Sequence, residues 1–142
     1  MSLHSATWRV HVSELDDLAL IIESIKWIAG DNALINIENG KSIHGAKQKT
    51  IIAKVENKRE SCESFLRLGK AALTEIVGED ITKRIDENKN LHIRIDVSNL
   101  VSREIKINCN KEKLVAKGIF KIECYPGDSP ERKILELIKK YQ

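Results

Sequence analysis

The sequence predicts an α+β fold: a two-layer sandwich whose mainly antiparallel sheet carries helices on one face. Three observations predict it. Short segments alternate apolar and polar residues, the period of a strand with one buried side. Between and after them lie stretches with apolar residues at helical spacing. Adjacent strands are joined by connections too short for a parallel crossover, which implies antiparallel pairing.

The first strand is Trp8–Val12, with Trp8, Val10 and Val12 on one side and Arg9 and His11 on the other. Ser13 is the expected N-cap of the next helix, with Asp16 and Asp17 in its first turn. Leu15, Leu18, Ile21, Ile22, Ile25 and Ile28 form its stripe, and Gly30 its stop. A short strand follows over Leu34–Glu38, and Asn39-Gly40 marks a turn. Lys41–Lys49 is expected as a projecting loop, and Thr50–Val55 as the third strand.

Helical spacing then runs from Lys58 towards Ile85, interrupted at Gly78. Asp86–Asn90 is a polar turn. Leu91–Val97 alternates most regularly, with Leu91, Ile93, Ile95 and Val97 on one side and His92, Arg94 and Asp96 on the other. Ser98–Arg103 reads as a short helix or a loop, Glu104–Asn108 as a strand, and Leu114–Tyr125 as a longer strand with a bulge at Gly118. Ser129 followed by Pro130 starts a final helix with Ile134, Leu137, Ile138 and Tyr141 as its apolar stripe. The 142 residues suit a single domain spanning 1–142.

Composition narrows the function. Apolar residues make up 42% of the chain, charged residues 32%, and the net charge is +3. Such a mildly basic balance permits nucleic-acid binding without requiring it. The longest apolar run, Leu18–Ile22, is far short of the ~20 residues of a membrane span. No signal pattern opens the chain. Cys62, Cys109 and Cys124 form no C-x-x-C pair, so no zinc or redox motif is indicated, and free thiols suit a reducing cytoplasm.

The polar strand positions carry cations: Arg9, His11, His92, Arg94, Lys106, Lys117 and Lys121, diluted by Asp96, Glu104 and Glu123. Gathered on one open face, they would grip phosphates through charge-assisted bonds. A solvated antiparallel face has the same alternation, so spacing alone does not separate the two readings. The loop residues Lys41, His44, Gly45, Lys47 and Lys49 add a second basic element, in which Gly45 permits close backbone approach. Trp8 and Phe120 share parity with core residues, leaving Tyr125 as the stacking candidate. RNA contact is therefore expected through phosphates and shape, without base stacking.

Catalysis finds little support. The histidines are scattered, and nucleophile elbow, P-loop and dinucleotide fingerprint are absent. No cofactor is expected. The competing reading is a protein-interaction module, a homodimer or an accessory subunit, using exposed strand edges and the final helix. A third is a metal-dependent phosphodiesterase built on Asp96, Glu104 and Glu123.

Three stretches taken together, Ser42-Ile43-His44-Gly45, Arg84–Asp96 and Ile122-Glu123-Cys124-Tyr125-Pro126-Gly127, resemble those of an archaeal RNA-binding, exosome-associated protein family. The resemblance implies a fold similar to the large-subunit ribosomal protein that binds 5S RNA. It also implies a non-enzymatic cytoplasmic role with structured RNA, near subunits of an RNA-processing complex. By this resemblance the family's histidine-glycine loop falls on His44 and Gly45, and its acidic turn on Asp86 and Glu87. Its strand arginine and aspartate fall on Arg94 and Asp96, and its tyrosine-proline on Tyr125 and Pro126. The chain departs from the pattern at Ala46-Lys47-Gln48, which lacks the family's proline. It also has Val97 and Arg103 near the positions of a family lysine and glycine.

Overall fold

The computed structural model describes residues 2–41, 45–107 and 114–140. One five-stranded sheet organises them. Its strands are β1 (Leu3–Ser13), β2 (Leu34–Lys41), β3 (Lys47–Val55), β4 (Asn90–Asp96) and β5 (Val115–Ile122). They run β2-β3-β1-β5-β4, and every pairing is antiparallel. Helices α1 (Leu18–Ala29), α2 (Lys58–Leu66), α3 (Gly69–Gly78), α4 (Val97–Leu100) and α5 (Pro130–Lys140) accompany it, with a 3-10 turn at Ile81–Arg84. The expected α+β sandwich is observed.

The core lies between sheet and helices. Ala6, Trp8, Val10 and Val12 of β1 pack inward with Leu91, Ile93 and Ile95 of β4 and Phe120 of β5. Ile21, Ile25 and Ile28 of α1 meet them from above, with Phe65 of α2 and Ile134 of α5. Trp8 is the hub. Its Nε1 donates to Ser64 Oγ at 2.8 Å, and the Ser64 hydroxyl donates onward to the Ile28 carbonyl at 2.7 Å. This relay satisfies the buried polar atoms and fastens β1 to α2 and α1. Phe120 meets the Trp8 ring edge-on at a centroid distance of 5.6 Å.

Several local expectations change. Ser13 ends β1 opposite Gln48 and closes a turn with Asp16: its amide donates to Asp16 Oδ2 at 2.8 Å and its carbonyl accepts from Asp16 N at 3.2 Å. Asp17 caps α1 instead, accepting from Leu20 N at 3.1 Å, and Leu15 is left 97% exposed in the turn. The helical run after Lys58 breaks at Gly69, whose φ of +87° is left-handed. Glu104–Ile107 forms no strand: Ile107 makes one isolated bridge to Ile95, and Asn108 lies outside the described residues. Arg103, at φ +61°, turns the chain sharply just before this segment.

Gly118 makes no bulge. It pairs in register with Trp8 and Ile93, and its missing side chain makes room for the Trp8 ring. The bulge sits near Leu3 and Ser5 instead. Val97 belongs to α4, for which Asp96 is the N-cap: its Oδ1 accepts from the Ser98 amide at 2.9 Å and hydroxyl at 2.7 Å. The final helix starts as expected, with Ser129 at its cap and Pro130 first.

Candidate nucleic-acid interface

The strand register assembles the uncovered face. Paired residues in a sheet point to the same side, with side chains about 5 Å apart. Arg9 pairs with Ile52 on one flank and Lys117 on the other, and Lys117 pairs in turn with Arg94. One transverse row therefore reads Asn36, Ile52, Arg9, Lys117, Arg94 across all the strands. A neighbouring row reads Leu34, Lys54, Thr7, Ile119, His92. His11 lies opposite Thr50, one position along from Arg9 on the same side.

Arg9, Lys117 and Arg94 thus stand side by side on adjacent strands. Like charges directly opposite one another destabilise a sheet. The usual remedy is an interleaved carboxylate, yet none forms an ion pair with these three among the described residues. Their neighbours in the chain, Trp8, Val10, Ala116, Ile93 and Ile95, are all core residues, so the row stands on close-packed backbone. The field of the row reaches His11. Partial burial, then Lys117, then Arg9 hold its imidazole below the ordinary 6.5, while Thr50 Oγ1 lies at hydrogen-bond distance, 2.9 Å, from its Nδ1.

Two other expected contacts on this face are already engaged. His92 Nε2 lies 2.7 Å from Asp86 Oδ2. That contact, with the Asn90 and Asn88 amides, holds the Asp86 carboxyl at about 2. Lys121 donates to the Asn88 carbonyl. Both tie the Asp86–Asn90 turn onto the sheet. Asp96, expected to dilute the face, is buried at the start of α4. Lys106 is exposed beyond β4, and its carbonyl accepts from Asp96 N at 3.0 Å.

The basic loop divides from this surface. The β2–β3 hairpin extends to Lys41 and Lys47, so much of the expected loop is strand. Lys49 pairs with Val12 and with Asn39, which sets Lys49, and by alternation Lys47 and Lys41, on the helix-bearing side. There they line a groove of about 630 Å³ with Val12, Asp16 and Leu18. Lys47 also faces Glu14 at 3.9 Å. Gly45 has φ +81°, and His44 lies outside the described residues.

Sequence reasoning missed Lys54, an exposed cation on the same open side. The alternation that would have revealed it is hidden by the apolar run Ile51-Ile52-Ala53.

The acidic residues considered for metal binding are dispersed. Glu104 lies near Asn99 Nδ2, and Glu123 accepts from Tyr125 at 2.7 Å and pairs with Lys58 at 3.0 Å. Among the described residues no three His, Cys, Asp or Glu side chains are grouped to hold a metal ion. Tyr125 is 60% exposed but lies past the end of β5, its hydroxyl donated to Glu123. Among the described residues no helix is long and apolar enough to cross a membrane.

Comparison with known proteins follows the same outline. Residues 5–122 match the model of a family described as RNA binding. A DUF54 protein from Methanothermobacter thermautotrophicus superposes with a TM-score of 0.75 at 19% identity, over 98% of each chain. A DUF54 protein from Archaeglobus fulgidus gives 0.75 at 20% identity, over 97% of this chain and 98% of that one. A UPF0201 protein from Methanococcus jannaschii gives 0.64 at 10% identity, over 94% and 92%. These likenesses establish the shared fold. No curated protein matches the sequence.

Proposed function

The chain belongs to the family described as RNA binding, and on that premise we propose that it binds structured RNA without catalysis, gripping phosphates with Arg9, Lys117 and Arg94. The observation that carries the reading is the transverse row of these three cations on the open sheet, with no carboxylate paired to them among the described residues. With strands about 4.8 Å apart, the row spans roughly 10 Å. That width suits contact with neighbouring phosphates of one backbone. Arginine at both ends supplies bidentate donors, and lysine at the centre a compact charge. His11 and Lys54 extend the field along and across the strands.

The face offers no exposed aromatic ring among its described strand residues, so bases have no platform to stack on. Affinity then rests on charge and on the shape of the RNA. The hairpin lysines Lys41, Lys47 and Lys49, on the other side of the sheet, would meet a ligand only where it wraps the edge of β2 and β3. In this reading the chain works as one domain in the cytoplasm. Its likeness to an exosome-associated family extends the proposal to a supporting role beside RNA-processing subunits.

The test is binding of a structured RNA over a salt series, followed by fluorescence anisotropy. Three phosphate contacts predict that log affinity falls against log salt with a slope of roughly −2 to −3. Replacing Arg9, Arg94 and Lys117 together by alanine should remove most of the affinity. Absence of binding at low salt, or equal binding by the triple variant, would overturn the proposal.

A further inference from the structure

The two edges of the sheet differ. At the β4 edge, Ile107 bridges Ile95, Ile85 bridges Leu91, and Asp96 N donates to the Lys106 carbonyl. Chain segments therefore cover that edge. At the β2 edge no described residue pairs with Leu34–Lys41 on its outer side. The strand carries no proline and no bulge, two of the devices that blunt an open edge, and its charges are Glu38 and Lys41 alone. Its apolar residues are unusually open as well: Leu34 is 61% and Ile37 39% exposed. Helix α1 lies over β1 and β3, which leaves the helix-side face of β2 open at Ile37.

We propose that β2 is the edge through which two copies of this chain pair, antiparallel, about a two-fold axis at Ile37. The argument is self-complementarity. A two-fold axis perpendicular to the sheet keeps the two faces continuous only when each residue meets one of its own parity. An axis at Glu38 sets two glutamates directly opposite each other, which is unfavourable. An axis at Asn36 leaves Asn39, Gly40 and Lys41 unpaired. The axis at Ile37 pairs Leu34 with Gly40, Ile35 with Asn39, Asn36 with Glu38, and Ile37 with its own copy. An isoleucine pair then forms at the centre of the helix-side face. On the open face, the Asn36 amide meets the Glu38 carboxylate twice. No like charges are opposed, and the edge amides and carbonyls gain partners along nearly the whole strand. The cationic row lies on β1, β5 and β4, away from this edge, so pairing leaves it free.

Nuclease-treated protein should sediment as a dimer at micromolar concentration, about twice the 16.1 kDa chain mass. Ile37→Lys, which opposes two ammonium groups at the axis, should sediment as a monomer with an unchanged circular dichroism spectrum. Ile37→Cys should form an intermolecular disulfide on mild oxidation far faster than Asn39→Cys, because directly opposed residues lie within disulfide reach. A monomeric wild type would overturn the proposal. So would a dimer that survives Ile37→Lys, or equal cross-linking by the two cysteine variants. RNA binding by the monomeric Ile37→Lys variant reads the cationic face separately.

Discussion

Gly118→Ala tests the closest approach of neighbouring side chains to any glycine of the chain. A methyl group on Gly118 would lie 2.7 and 2.8 Å from two carbons of the Trp8 ring and 3.0 Å from a Phe120 ring carbon. The ring cannot easily retreat. Its Nε1 is held by Ser64, Ser64 is held by the Ile28 carbonyl, and Phe120 stands against it edge-on. Overpacking of this kind costs about 1–3 kcal/mol. The φ of Gly118 is not left-handed, so alanine meets no backbone penalty and recovers about 0.5–1 kcal/mol of chain entropy. The net destabilisation is about 1.5 kcal/mol, which for a chain of this size lowers Tm by about 5 °C. Urea unfolding followed by circular dichroism measures it, with the midpoint shifted and the slope unchanged. Gly78→Ala is the control: nothing lies within 4 Å of its added carbon, and it ends α3, so it should gain about 0.5 kcal/mol. A Gly118→Ala protein as stable as wild type would refute the picture of Trp8 as a fixed hub.

Single replacements on the open face should separate binding from folding. Arg9→Ala, Lys117→Ala and Arg94→Ala should each reduce the salt slope of RNA binding by about one. Each should leave the urea midpoint unchanged or slightly raised, because like-charge repulsion is relieved. The His11 imidazole should titrate below 6.5 in an NMR pH series, and Lys117→Ala should move it upward, since Lys117 is one of the charges depressing it. The Asp86 carboxyl, held at about 2 against 3.8, favours the folded state above the unfolded value. That contribution should be lost as pH falls from about 4 towards 2. Asp86→Asn should flatten this acid limb in urea midpoints measured from pH 5 to pH 2.

Alternation and helix-start signals were sufficient to locate most of the strands and the final helix, because each rests on local rules. Trp8, Val10 and Val12 share a period of two, and Ser129-Pro130 is a start that no tertiary contact competes with. The misreadings arise where tertiary pairing decides. Ser13 is a good cap by type, but it closes a turn with Asp16 at the end of β1, and the helix starts only at Asp17. Glu104–Ile107 has strand composition, but the left-handed turn at Arg103 precedes it and only Ile107 bridges the sheet. Gly118 is unreadable as a packing glycine until the register sets Trp8 opposite it.

The candidate interface was legible as residue types and not as a surface. Arg9, Arg94 and Lys117 sit on the solvent parity of their own strands, which the sequence reveals. That β5 lies between β1 and β4, bringing them into one row, is a fact of strand order alone. The same order puts β2 and β3 at the far side, and the pairing of Lys49 with the inward-facing Val12 turns Lys41, Lys47 and Lys49 towards the helices. Asp96 alternates correctly and is nonetheless buried, because a helix begins on it.

The row of cations also inherits the stiffness of the core beneath it. Arg9 adjoins Trp8 and Val10, Lys117 sits between Ala116 and Gly118, and Arg94 between Ile93 and Ile95. A polyanion arriving at this surface finds its binding groups rooted in backbone that is already preorganised, so only side-chain rotamers remain to be frozen. The entropy of arranging these charges is met during folding, and the amides beneath them should belong to the slowest-exchanging part of the chain.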